Sequence, residues 1–128
     1  MKRLFGLALV LCAGAAFAQD LTPPGDKSII AEGAKLKVLF DDAFFTEGPA
    51  VAPDGSVYFS DITFSGRSGM QAGHIWRYDP ETGETRIYRS PSGMSNGLKF
   101  DARGRLIAAE GADFGGRRLT RTDLATGK

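Results

Sequence analysis

Apolar residues come in short runs along this chain, and turn residues break each run before it reaches helical length. From Leu36 onward the runs include VLF (38–40), VYF (57–59), HIWRY (74–78), RIY (86–88), GLKF (97–100) and RLIAA (105–109). Between them stand Pro53-Asp54-Gly55, Asp79-Pro80-Glu81-Thr82-Gly83, Ser90-Pro91-Ser92-Gly93, Arg103-Gly104 and Thr126-Gly127. No stretch keeps a helical spacing of apolar positions over three turns. Short runs with frequent Gly and Pro punctuation predict an all-β chain built from hairpins. Trp76, Tyr78 and Phe59 alternate with other residues as buried strand faces do, and are expected to pack between sheets.

The pattern also repeats. EGPAVAPDGSVYFSD (47–61) aligns without a gap on NGLKFDARGRLIAAE (96–110), each reading polar residue, Gly, apolar strand, Gly turn, second apolar strand and closing carboxylate. GHIWRYDPETGE (73–84) aligns on RRLTRTDLATGK (117–128), sharing a strand, an Asp and a Thr-Gly turn. Units of about 40 to 50 residues holding several short strands are the signature of propeller blades. The first unit predicts four strands, over about 48–52, 57–61, 74–79 and 85–89. The second predicts three and ends at Ala125-Thr126-Gly127-Lys128, where a fourth would begin. An earlier strand over 36–41 is expected to close the ring against a blade the chain does not contain. The expected division is therefore an N-terminal arm over 19–36 and a partial β-propeller over 37–128. The propeller holds the closing strand 36–41, blade one over 47–93 and incomplete blade two over 96–128.

The N-terminus reads differently. Lys2 and Arg3 precede an apolar run from Leu4 to Cys12, and small residues end in Ala16-Phe17-Ala18. This order of zones predicts a cleavable signal peptide over 1–18 and a periplasmic or secreted product. The apolar run is shorter than the roughly 20 residues a membrane span needs, so no membrane association is expected after cleavage. Cys12, the single cysteine, lies inside the segment to be removed, which leaves no thiol for disulfide or metal chemistry. Loss of Lys2 and Arg3 takes the formal charge from +1 to −1, and a near-neutral protein is a poor partner for nucleic acid.

In a propeller the starts of the innermost strands converge on the central channel. Glu47 and Asn96 hold that equivalent position in the two units, and both offer oxygen, the donor a hard cation prefers. A solvated loop acid and a turn asparagine are the bland alternatives. Asp61 and Glu110 are equivalent at the ends of second strands, with local loop hydrogen bonds as the competing reading. His74 has no second His to form a metal pair and reads as structural or exposed. Arg117-Arg118 reads as a solvated strand end rather than an anion site. No nucleophile elbow, P-loop or dinucleotide fingerprint occurs.

At these residues the sequence resembles the gluconolactonase, regucalcin (senescence marker protein) and luciferin-regenerating-enzyme family. The matching segments are FFTEGPAVAPDGSVYFSD, GHIWRYDPETGE and SNGLKFDARGRLIAAEG, in that order. The resemblance implies a six-bladed propeller, of which this chain would carry about two blades, with one divalent cation, calcium or zinc, in the channel. It implies that Glu47 is a metal ligand, that Asn96 contacts substrate or a metal-bound water, and that Glu110 lies where some members hold substrate hydroxyls. The remaining ligands and the general-base Asp would lie beyond the C-terminus. Members acting on sugar lactones often carry Arg two residues before the Asn, where this chain has Met94.

The implied function is the N-terminal part of an exported, metal-dependent lactone hydrolase acting on a lactone or sugar-like small molecule, with water activated by the cation. The alternative is a non-catalytic propeller that binds a ligand or calcium, since fold does not dictate chemistry. A truncated product and a piece of a longer chain are both compatible with the pattern. As it stands, the chain is expected to be inactive, because one carboxylate cannot satisfy a cation that takes six or more oxygen ligands.

Overall fold

In the computed structural model the described residues are 22–62, 73–111 and 115–128. The signal peptide expected over 1–18 lies outside them. The chain divides into two compact units, Met1–Lys37 and Val38–Lys128. In the first, Asp26 caps a turn by accepting the Ser28 N–H on its side chain and the Ile29 and Ile30 N–H groups on its carbonyl. Lys35 Nζ donates to Thr22 Oγ1.

The second unit is all-β. Its strands are β1 (Thr46–Val51), β2 (Val57–Asp61), β3 (His74–Tyr78), β4 (Thr85–Arg89), β5 (Leu98–Phe100), β6 (Leu106–Ala109) and β7 (Leu119–Thr122). They form two antiparallel meanders, β1-β2-β3-β4 and β5-β6-β7. Each sequence repeat thus becomes one sheet, and the strand positions follow the period-two runs within a residue or two.

The turns repeat as well. Gly55 N–H donates to Ala52 O at 2.9 Å, and Gly104 N–H donates to Asp101 O at 2.9 Å. Farther on, Asp79 Oδ1 accepts the Glu81 and Thr82 N–H groups, and Asp123 Oδ1 accepts those of Ala125 and Thr126. Gly83 and Gly127 close these two turns at φ 74° and 70°, a region open to glycine at little cost.

The core lies between the two sheets. Ala52, Tyr58 and Ile75 from the first meet Leu106 and Ala108 from the second, with Tyr88, Leu98, Phe100 and Leu124 packed around them. The Tyr58 ring stands edge-on to Tyr88 (4.9 Å) and Phe100 (5.3 Å), a favoured aromatic geometry. This corrects the expectation for Trp76, Tyr78 and Phe59. In the β2–β3 register Phe59 pairs with Trp76 and Val57 with Tyr78, and these sit in the other phase of the alternation from Tyr58. Period-two alternation marks two faces but does not say which one meets the neighbouring sheet.

The strand expected over 36–41 does not form. Among the described residues no strand runs beside it to complete a ladder. Phe40 instead lays its ring against Trp76 (4.8 Å) and Phe59 (6.1 Å), so that segment meets the first sheet through side chains.

Candidate functional site

Glu47 is the second residue of β1 and pairs with Ser60 across the ladder. Beyond it the register slips before Ala50. Gly48 has φ 53° and Pro49 has no N–H to donate, so the strand bulges there. The bulge presses the Gly48 backbone onto the second sheet. A Cβ at Gly48 would lie 2.1 Å from Asn96 O and 2.8 Å from Gly97 Cα, so no side chain can be carried at this position.

Asn96 is held just ahead of β5. Its N–H donates to Ala109 O, and Ala109 N–H donates to Gly97 O, both at 3.0 Å. Glu47 and Asn96 therefore stand next to each other at the same end of β1 and β5, as their repeat equivalence predicts. Glu47 is half-buried and Asn96 exposed. Among the described residues neither side chain makes a hydrogen bond or ion pair.

The second equivalent pair has other work. Asp61 is fully buried, and its carboxylate accepts the N–H of Phe44, the N–H of Phe45 at 2.9 Å and Trp76 Nε1–H at 3.2 Å. Three donors converging on one acceptor-only group tie the entry of β1 to β2 and β3.

Glu110, expected on substrate, has its side chain only 2% exposed and accepts Arg89 Nη2–H at 2.6 Å, Arg118 Nε–H at 2.9 Å and Gly116 N–H at 3.3 Å. Burial pushes its carboxyl up, but hydrogen bonds from Arg89, Arg118 and Gly116 outweigh this and hold it below the usual glutamate range. Arg89 ends β4 of the first sheet, whereas Glu110 follows β6 and Arg118 precedes β7 of the second, so the cluster ties sheet to sheet. Both oxygens are taken, so in this structure Glu110 serves to hold the two sheets together. Arg118 is correspondingly an ion-pair partner and not merely a solvated strand end.

His74, 5% exposed, is buried across the ladder from Asp61 and stands edge-on to Trp76 at 5.7 Å. Met94, in place of the arginine, is 4% exposed. Its left-handed φ of 53° is costly for a non-glycine residue. At that position the chain packs a thioether inward and offers no cation to a ligand.

The sequence reading did not single out Gly48, Ser60, Ser95 or Arg89. Gly48 had a signal, since the ungapped repeat aligns it with Gly97. Arg89 had none, because its role depends on how the two sheets meet.

Among the described residues no three or more His, Cys, Asp and Glu side chains come together to hold a metal ion. Glu47 and Asn96 match a hard cation in donor type and would fill a minority of its shell.

No protein-family model matches the sequence, and no curated protein matches it. Solved structures do. A gluconolactonase from Xanthomonas campestris, important in glucose secondary metabolic pathways, is 28% identical with a TM-score of 0.55, over 70% of this chain and 26% of that one. An X-ray structure of a protein assigned by family as a gluconolactonase is 31% identical with a TM-score of 0.56, over 80% of this chain and 29% of that one. The chain spans less than a third of either. The family resemblance read from the motifs holds in three dimensions, and the two sheets are a partial β-propeller of the gluconolactonase type.

Proposed function

We propose that this chain supplies the first part of an exported, metal-dependent lactone hydrolase, in which Glu47 binds the cation and Asn96 orients the substrate or the attacking water. The observation that carries this reading is the contact of Gly48 with Asn96. It makes Glu47 and Asn96 backbone neighbours at the start of β1 and β5, with both side chains uncommitted, while the acids Asp61 and Glu110 are engaged. The likeness to gluconolactonases supports the reaction class.

A divalent cation bound there supplies a polarised lactone carbonyl and a water acidic enough to be deprotonated near neutral pH. The residues of this chain bind and orient. Glu47 contributes one anionic oxygen, and the Asn96 amide can both accept from and donate to a hydroxyl or water beside it. Neither Asp61 nor Glu110 has an oxygen to spare for the role of general base. Met94, two residues before Asn96, supplies no guanidinium at that position, which counts against sugar-acid lactones as the specific substrate.

The test is turnover of a panel of γ- and δ-lactones with calcium, zinc or manganese, by this chain and by any longer protein that carries it. The expected result is metal-dependent hydrolysis by the longer protein, abolished by Glu47→Gln, and none by this chain alone. Saturable binding of a lactone or sugar acid without turnover, in a longer protein loaded with each metal, would overturn the hydrolase reading in favour of a ligand-binding propeller.

A further inference from the structure

Two hydroxyls beneath Glu47 and Asn96 have no part in the chemistry above. Ser60 is the ladder partner of Glu47, and Ser95 immediately precedes Asn96. Both are 0% exposed, and their Oγ atoms are 2.9 Å apart. The bond crosses from the first sheet to the segment that starts the second. Ser95 is anchored further, its N–H donating to Ser92 Oγ at 3.4 Å, while Ser92 N–H donates to Gly73 O at 3.0 Å.

We propose that the Ser60–Ser95 hydrogen bond is a positioning device that sets the spacing of Glu47 and Asn96. An apolar pair could fill the same space, but apolar contact is non-directional. A hydrogen bond prescribes distance and angle. The bond and the Gly48 contact act in opposite senses on Asn96. Gly48 against Asn96 O stops the two strand starts from moving closer, and the hydroxyl bond stops them from moving apart. Two oxygen donors can share one ligand only if held to within about half an ångström, and these two contacts bracket that separation. Ser60 and Ser95 are positioning residues, since they would act on a ligand through Glu47 and Asn96.

This inference rests on the reading of Glu47 and Asn96 as a shared oxygen site. The experiment titrates the isotope-labelled chain with calcium chloride and follows the amide signals of Glu47 and Asn96 by NMR. Ser60→Ala, Ser95→Ala and the double variant are measured beside the parent, with melting temperatures for each. Expected is a rise of about fivefold in the apparent calcium Kd for each single variant, the size of one lost hydrogen bond. The double variant should be no worse than either single, because both remove the same bond.

Unchanged Kd in folded variants, or additive losses, would overturn the proposal, whereas a merely structural pair would lower the melting temperature and leave Kd alone. Should an alanine variant not fold, Ser95→Cys keeps most of the volume and weakens the bond, and the same comparison applies. If calcium moves neither signal in the chain alone, as two donors of a larger shell allow, the metal reading of Glu47 is tested in the longer protein instead. The spacing is then judged by the Gly48–Asn96 nuclear Overhauser contact and the exchange rate of the Asn96 N–H. Loss of that contact in both single variants sustains the proposal, and its retention overturns it.

Discussion

Gly48 and Asn96 touch backbone to backbone, with room between them for nothing larger than hydrogen. A Cβ at Gly48 would intrude to 2.1 Å from the Asn96 carbonyl oxygen, and the φ of 53° adds strain for any other residue. Gly48→Ala should therefore destabilise the protein by about 2–4 kcal/mol, through left-handed backbone strain and forced separation of β1 from β5. Urea denaturation measures it. A loss below about 0.5 kcal/mol, the level of an ordinary surface substitution, would mean the contact is not tight.

The Glu110 cluster makes stability depend on pH in a defined direction. Its carboxyl titrates below the ordinary glutamate range in the folded chain, so its stabilisation is present above the unfolded value and lost as pH falls through the folded one. Glu110→Gln should cost about 2 kcal/mol at neutral pH, less than a fully buried pair because Arg118 is largely exposed. The parent and variant curves should converge as pH falls through the lowered folded-state value of Glu110. Asp101, held at about 2 by Arg105, and Asp79 also weaken the fold in acid, but they do so equally in both proteins. A gap between the curves that persists at low pH would contradict the assignment.

Asp61 accepts from three N–H donors, so an amide in its place must aim an NH₂ at one of them. Asp61→Asn should lose about 1.5–3 kcal/mol, the range for a charge-assisted acceptor exchanged for a mismatched group. It should also shift the Trp76 indole N–H resonance. An unmoved resonance would show that the carboxylate does not hold that ring.

Export should remove the N-terminus after Ala18, because charge, apolar run and small residues follow one another in the order that signal processing needs. Intact-mass measurement of the secreted or periplasmic protein should find Gln19 first. A membrane-bound product that begins at Met1 would count against this.

Strand positions and turns were legible in the sequence because local chemistry decides them. Period-two runs, Gly at left-handed positions and the Asp-x-x-Thr-Gly turns at 79–83 and 123–127 each act within a few residues, and the ungapped repeat showed that one pattern was used twice. The same equivalence singled out Glu47 and Asn96.

Tertiary structure alone decided the rest. Which face of the first sheet meets the second, with Tyr58 inside and Phe59 and Trp76 on the other side, depends on how two surfaces fit. Glu110 reads like Asp61 along the chain, yet Arg89, on the other sheet, takes up one of its oxygens once the sheets dock. The segment 36–41 has a strand-like composition but no strand beside it, and a ladder needs two. Residues far apart in sequence acquire their partners only when packing brings them together, so side-chain identity listed the donors and acceptors and the docking of the two sheets chose the pairs.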